Sequence, residues 1–356
     1  MEKMDKFNID SHKLMFHPKR VNSWLEGEDI YPIYTEVGLT SFCNQKCVFC
    51  AFDYYKKDQF LKTECFEKFA VEAFSKGVKS MLFAGEGEPL LHPDIIEIAE
   101  FTKQSGIDIA LSTNGVLFHK DNAERLLKVF SWVRFSMDSG CSKTYSLVHN
   151  TGEEEFRKII NNIKQSVRIK RENKYNVIIG VQFVLIPQNY KDIMRAVKIA
   201  SDIGVDYLVF KPYSHHPLSK NKFTLNIDPK HISALKRKMQ RYIRSDFSVI
   251  FRDSAFDRIG RGKNYDKCLS LPFVAFIMAN GDIYPCSVFL NQSEYVLGNI
   301  CSESFEEIWH GKIRKKIMDK ILLDSSIGEC RKACRLDPIN EYLWQLKNPN
   351  LHVNFI

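Results

Sequence analysis

Apolar positions between residues 33 and 211 follow two alternating rhythms. Short, nearly unbroken apolar runs lie at 33–39, 80–83, 108–112, 132–136, 176–186 and 206–210. Runs without a polar face suit parallel strands covered on both sides. The segments between them, 64–76, 94–104, 121–130, 153–172 and 190–202, place apolar residues at helical spacing. Gly77, Gly106 and Gly204 each follow one of these segments, where a left-handed C-cap belongs. Six β/α units in succession predict a partial or complete α/β barrel, with the active site in the loops after the strands.

Beyond residue 210 the rhythm changes. Residues 211–226 are polar and read as a loop, 229–244 read as a helix, and a domain boundary falls near 250. Runs at 273–279 and 282–286 flank Asn280–Gly281, a strong hairpin signal. A helix over 304–321 and a cysteine-bearing loop follow. No internal repeat or low-complexity tract is present.

Composition narrows the class. Of 356 residues, 44% are hydrophobic and 26% charged, as in ordinary globular proteins, so a core forms without help from disulfides. Residues 1–16 carry charges throughout and no apolar signal-peptide core. The longest apolar run, 271–279, is too short to span a bilayer and contains Pro272. A cytoplasmic protein with no membrane partner is expected. Fifty-one Lys and Arg against 43 Asp and Glu give a net charge of +8, which favours anionic partners. Many of these lysines, such as Lys158, Lys164 and Lys170, fall on the polar faces of helices. No basic stripe is interleaved with aromatics, which disfavours nucleic acid.

Ten cysteines in a chain without a signal peptide point to metal or catalysis rather than a disulfide framework. Cys43, Cys47 and Cys50, with three and two residues between them, lie in the loop after the first predicted strand. Three thiolates ligate three irons of a [4Fe–4S] cube and leave the fourth open, whereas structural zinc wants a fourth ligand nearby. Cys65 lies within a predicted helix, and no histidine occurs between Leu39 and Glu88.

The triad, with Phe49 just before its last cysteine, resembles the defining motif of the radical S-adenosylmethionine enzymes. Residues 84–93 (AGEGEPLLHP) resemble that family's glycine-glutamate-proline motif. The resemblance implies that S-adenosylmethionine chelates the open iron and is cleaved reductively to a 5′-deoxyadenosyl radical. It implies that Gly85, Gly87 and Glu88 receive the methionine amino group. Ser112 and Asn114 (STNG), Ser136 and Asp138 (SMD), and Gln182 with Gly180 are similar to segments contacting ribose, methionine carboxylate and adenine. Glu86 is an extra acidic residue without an assigned role.

Cys268 and Cys286 flank the predicted hairpin, and Cys330 and Cys334 follow near the C-terminus. Four thiolates close a whole [4Fe–4S] cluster, and a four-cysteine zinc site satisfies the same spacing. The layout around Gly281 and residues 297–309 is similar to the auxiliary-cluster extensions called SPASM and twitch. A single auxiliary cluster on Cys268, Cys286, Cys330 and Cys334 is therefore expected. Cys65, Cys141 and Cys301 are left as free cysteines. The implied fold is α/β: a partial (β/α)6 TIM-type barrel over 33–250, after an N-terminal extension over 1–32. A small α+β cluster-binding domain occupies 251–356.

The favoured substrate is a small hydroxylated molecule, such as a sugar, aminocyclitol or nucleotide sugar, with a bias toward anionic ones. Peptide modification is the alternative. Only 42 residues precede Cys43, which is short for a separate leader-binding domain. A two-cluster electron carrier is the third reading. A flavodoxin- or ferredoxin-type reductase is the expected electron donor. Lys211 and Tyr213 are the candidate catalytic residues, with Glu86 and Arg252 as further proton-transfer candidates. His215 and His216 are expected at the surface or against substrate rather than on a metal.

Overall fold

The computed structural model describes residues 5–224, 229–324, 327 and 330–355. Seven strands run parallel in sequence order: β1 (Tyr34–Val37), β2 (Ser80–Phe83), β3 (Asp108–Thr113), β4 (Trp132–Ser136), β5 (Ile178–Leu185), β6 (Tyr207–Pro212) and β7 (Ser248–Phe251). β7 continues the barrel one strand past the six read from the sequence, in register Tyr207↔Ser248 through Phe210↔Phe251.

Period-two alternation sorts each strand. Val37, Phe83, Leu111, Val133, Phe135, Val181 and Phe210 are buried in the continuous core beneath the outer helices. Tyr34, Glu36, Ser112, Arg134, Ser136, Gln182 and Lys211 instead line an interior cavity. The helices Thr63–Ser75, Ile95–Gln104, Lys120–Val129, Glu154–Glu172 and Ile193–Ile203 cover the outside, as the helical spacing predicts. Gly77, Gly106 and Gly204 take φ of +86°, +90° and +80°, the left-handed conformation expected of them. Helices Pro18–Leu25, Ser142–His149 and Asp337–Lys347 lie outside the segments anticipated.

The hairpin forms at Asn280–Gly281, between β8 (Val274–Ile277) and the antiparallel β9 (Asp282–Tyr284), with β10 (Gly298–Asn299) beyond. β8 docks parallel onto β1, pairing Tyr34 with Val274 and Val37 with Ile277, so barrel and C-terminal segment share one sheet. The helix predicted over 304–321 is two helices, Phe305–His310 and Lys312–Asp324, divided at Gly311. Ser304 begins the first with a reciprocal capping box to Glu307. Buried Trp309 donates its indole N–H to Ile30 O at 2.7 Å, tying this helix to the segment before β1.

Two cysteines depart from expectation. Cys65 and Cys301 form a disulfide with Cα atoms 4.9 Å apart, joining the first barrel helix to the turn after β10. Their separation of 236 residues hides the pairing from local reading. The N-terminal stretch closes the floor of the barrel: Phe7 and Ile9 pack on Tyr207, Val209 and Ile250.

Candidate active site

The triad loop leaves β1 and is held from two sides. Ser41 Oγ accepts the backbone N–H groups of Asp58 and Gln59, both at 2.9 Å. Lys46 N and Val48 N donate to the carbonyls of His149 and Val148, docking the loop on helix Ser142–His149. Within the triad, Gln45 Nε2 donates to Tyr145 Oη and Glu155 Oε2, each at 2.9 Å. His149, 1% exposed, places Nδ1 3.2 Å from Cys47 Sγ while Nε2 lies 3.2 Å from Met137 O. Burial drives its pKa down to about 4, so the ring is neutral.

Cys43, Cys47 and Cys50 face the cavity together. Burial chiefly, and repulsion from neighbouring thiolate and carboxylate charge, push the Cys43 thiol up to about 11 and lift Cys47 well above the usual thiol range. Such a set ionises only when a cation offsets it, which suits an iron cluster with one open site.

The second loop, after β2, meets the first at van der Waals distance. A Cβ at Gly87 would stand 2.3 Å from Thr40 O and 2.4 Å from Phe42 O. Gly85 takes φ +122° and lies against Gly38 Cα. These glycines let two loops of the protein touch, a nearer reason for them than approach to a ligand. Glu88, 3% exposed, accepts from Thr113 Oγ1 at 2.6 Å, Asn114 N at 2.7 Å and Leu90 N at 3.2 Å. Burial outweighs these bonds and lifts its carboxyl to about 7. Glu86 does not line the cavity. Its Oε1 accepts Ala279 N–H at 2.8 Å, stapling the C-terminal hairpin to this loop.

The cavity holds about 820 Å³ and runs from the triad to Phe7, Ile9 and Leu14 at the floor and Ser214 and Arg331 at the far wall. Phe49, Gly85, Gly87, Glu88, Ser112, Asn114, Ser136, Gln182, Lys211, Tyr213 and Cys334 line it. Asn114 Nδ2 also donates to Asn44 Oδ1 at 2.7 Å, tying the third strand end to the triad loop.

Several anticipated residues stand elsewhere. Asp138 is fully buried at φ +50° and turned from the cavity, its Oδ1 accepting Val184 N and its carbonyl accepting Asn189 Nδ2. A carboxylate so placed braces β4 against β5; its Oδ2 accepts no hydrogen bond, lies 3.6 Å from His149 Nε2, and does not line the cavity. Gly180 is also absent from the lining: a Cβ there would fall 2.0 Å from Tyr207 Cζ, so its bareness seats the Tyr207 ring. His216 is fully buried rather than at the surface, bridging Leu218 N and Ser287 O and stacking on Tyr54 at 5.3 Å. His215 bonds Asn221 O and does not reach the cavity. Tyr213 donates its hydroxyl to Asn221 O, which fits it poorly as a base.

The second cysteine set converges around helix Asp337–Lys347 and the hairpin, where burial chiefly, and the nearby Cys330 sulfur, raise the thiols of Cys268, Cys286 and Cys334. Three of the sulfurs accept N–H donors: Cys268 from Asn340 Nδ2 at 3.4 Å, Cys286 from Val288 N at 3.5 Å and Cys334 from Leu336 N at 3.4 Å. Donors of this kind stabilise thiolate ligands. Buried Asp337 organises the set, accepting Cys334 N at 2.7 Å and Tyr265 Oη at 2.6 Å, with Lys263 3.4 Å away. Among the described residues, no three His, Cys, Asp or Glu side chains close on a point as a single metal ion requires.

Sequence reading passed over His149, Gln45, Arg134, Arg331 and the Glu36–Arg335 ion pair. Gln45 lay in view between two cysteines. The others come to the site from distant strands and loops with no local signal.

Comparison with known proteins gives the same picture. Residues 37–216 match the Radical SAM superfamily, and residues 268–335 match SPASM, an iron-sulfur cluster-binding domain. A Pyrococcus furiosus protein described as a tungsten-containing aldehyde ferredoxin oxidoreductase cofactor-modifying protein is 24% identical over 328 residues, covering 85% of this chain and 88% of its own. The antilisterial bacteriocin subtilosin biosynthesis protein AlbA of Bacillus subtilis is 24% identical over 300 residues, covering 80% of this chain and 61% of its own. Among solved structures, Streptococcus suis SuiB bound to S-adenosylmethionine superposes with a TM-score of 0.66 at 20% identity, covering 95% of this chain and 79% of that one. SuiB has also been solved bound to its precursor peptide SuiA. With the superfamily match spanning the triad and the strand ends that surround it, the chain belongs to the radical SAM superfamily, carries a C-terminal SPASM domain, and takes S-adenosylmethionine and [4Fe–4S] clusters as cofactors.

Proposed function

We propose that this radical SAM protein modifies a peptide. The observation that carries the reading is the cavity: its 820 Å³ run from the cysteine triad to a wall built by the C-terminal segment at Arg331–Leu336. Volumes of this size are ordinary for ligand sites, so it is the reach of the cavity past the triad to the C-terminal segment, not its size, that supports a second molecule beside the cofactor. The bacteriocin-biosynthesis relative and the SuiB complex with its precursor peptide support this class. No relative described above supports the sugar or aminocyclitol expectation.

In this reading Cys43, Cys47 and Cys50 hold the S-adenosylmethionine cluster, and Cys268, Cys286, Cys330 and Cys334 hold an auxiliary one. When bound, the first cluster and S-adenosylmethionine supply a 5′-deoxyadenosyl radical. Glu88 presents its one remaining lone pair toward the methionine ammonium, anchored by Thr113, Asn114 and Leu90. Ser112, Ser136 and Gln182 offer hydrogen bonds to ribose and adenine, and Phe49 walls the triad. Lys211 is the candidate for moving a proton at the substrate. A flavodoxin- or ferredoxin-type protein supplies electrons. The division at 1–32, 33–250 and 251–356 serves as the working domain scheme, with the second boundary moved past β7, which runs to Phe251.

The test uses reconstituted, reduced protein under anaerobic conditions, with a random peptide library in one arm and a mixture of sugars and aminocyclitols in the other. Peptides that change mass and raise 5′-deoxyadenosine output support the proposal. Turnover of the hydroxylated small molecules with no peptide change overturns it.

A further inference from the structure

The cavity wall carries more positive charge than its own acids offset. Lys13, Arg134, Lys211, Arg252, Arg331 and Arg335 line it, against Glu36 and Glu88. Arg335 pairs with Glu36, which accounts for both. Glu88 points to the far side, toward the triad. Arg252 Nε lies 3.7 Å from Asp10 Oδ1, a loose ion pair that offsets part of its charge, while Asp10 also accepts the backbone N–H and hydroxyl of Ser254. Arg331 donates to Ser214 O at 3.0 Å, a neutral partner. Arg134 lies over the Trp132 ring at 5.0 Å. Neither Arg134 nor Lys211 has a carboxylate within ion-pair distance among the described residues.

The Nε atoms of Arg134, Arg252 and Arg331 are all buried without a hydrogen-bond partner. An unbonded buried N–H costs the full desolvation of the group, and several like charges around one space repel. Lys211 registers that repulsion: burial and the charges of Arg134 and Arg252 lower its pKa. The nearby Asp138 carboxylate offsets it only in part, since the Lys211 pKa stays lowered with that charge beside it. A methionine carboxylate accounts for at most one of these cations. Arg252 follows β7, and Arg331 bonds the loop after β6, whereas the triad and Glu88 stand at the ends of β1 and β2. Arginine N–H forks match planar carboxylates in particular.

We propose that Arg134, Lys211, Arg252 and Arg331 form a binding site for a substrate carboxylate, supplied by an acidic side chain or by the C-terminus of a peptide. The source assignment rests on the peptide reading above; the carboxylate site does not.

The test is equilibrium binding to the unreduced holoenzyme with S-adenosylmethionine present, so that no turnover occurs. Three probes are compared: a random hexapeptide library with amidated C-termini, the same library with free C-termini, and glutarate. Enrichment of Asp and Glu from the amidated library assigns the site to a side chain. Retention of the free-acid library alone assigns it to the C-terminus. In either case Arg331→Gln and Lys211→Met weaken binding about tenfold each, while affinity for S-adenosylmethionine stays within about twofold. Measuring two positions on different elements, with iron content as a folding control, keeps a misfolded variant from deciding the result. Glutarate binding without any peptide binding upholds the carboxylate site and removes the peptide reading. Peptide binding indifferent to charge upholds the peptide reading and overturns the site. A parallel loss of S-adenosylmethionine affinity in both variants also overturns it, since the cations then serve the cofactor.

Discussion

Glu88 shows how one side chain can hold two loops together. Its two oxygens receive Thr113 Oγ1, Asn114 N and Leu90 N, so the loop after β2 and the loop after β3 are fixed through one carboxylate. Glu88→Gln replaces an acceptor by an NH₂ group facing at least one of these donors. It should lower stability by about 1–3 kcal/mol even without S-adenosylmethionine. Thermal unfolding of the ligand-free protein checks this, and an unchanged midpoint would confine Glu88 to ligand contact. A second expectation follows from its ionisation. The carboxyl is lifted to about 7 by burial, and the charged form is the one that receives an ammonium. The Kd for S-adenosylmethionine should therefore rise as pH falls from about 8 to about 6, by up to about tenfold per unit below the pKa. A flat profile would remove Glu88 from that contact. At this scale the sequence was readable where chemistry is local, as with three cysteines within eight positions. It was silent on His149, which reaches Cys47 from 102 residues away, and misleading on Asp138, whose turn position hides a brace between two strands.

Elements were legible in proportion to their periodicity. The parallel strands and their covering helices appear where apolar runs and helical spacing put them, and the Asn280–Gly281 hairpin forms as its turn residues dictate. What the pattern did not carry is attachment. Nothing in residues 274–277 says that they join β1 in parallel, because strand partners are chosen by tertiary packing. β7 is four residues long and follows a polar stretch, so its run reads as a boundary rather than a seventh strand. The Cys65–Cys301 disulfide is another long-range attachment, clasping helix Thr63–Ser75 to the segment after β10. Cys65→Ser should leave iron and sulfide content unchanged and lower stability by about 2–4 kcal/mol under non-reducing conditions. A loss of iron in this variant would make Cys65 a cluster ligand and contradict the pairing.

For the whole molecule, the sheet is the organising fact. β8 docks on β1, the strand that precedes the triad, and Glu86 bonds Ala279 beside the hairpin, so the two cysteine sets belong to one continuous framework. Cys334 lines the same cavity as Cys43, Cys47 and Cys50, which brings the second set within reach of whatever the first acts on. Family and cofactors were legible from motif order along the chain. Substrate class was not legible: residues that line the cavity away from the triad, such as Arg134, Arg252 and Arg331, gather from separate elements with no local signal. The most direct measurement is 5′-deoxyadenosine formation by the anaerobically reconstituted, dithionite-reduced protein, with iron counted on the same samples. Wild type should carry about eight irons and cleave S-adenosylmethionine. Cys47→Ala should fall to about four irons and form none, and Cys286→Ala should also fall to about four irons yet still form 5′-deoxyadenosine. Full activity in Cys47→Ala, or none in wild type with both clusters present, would contradict the account.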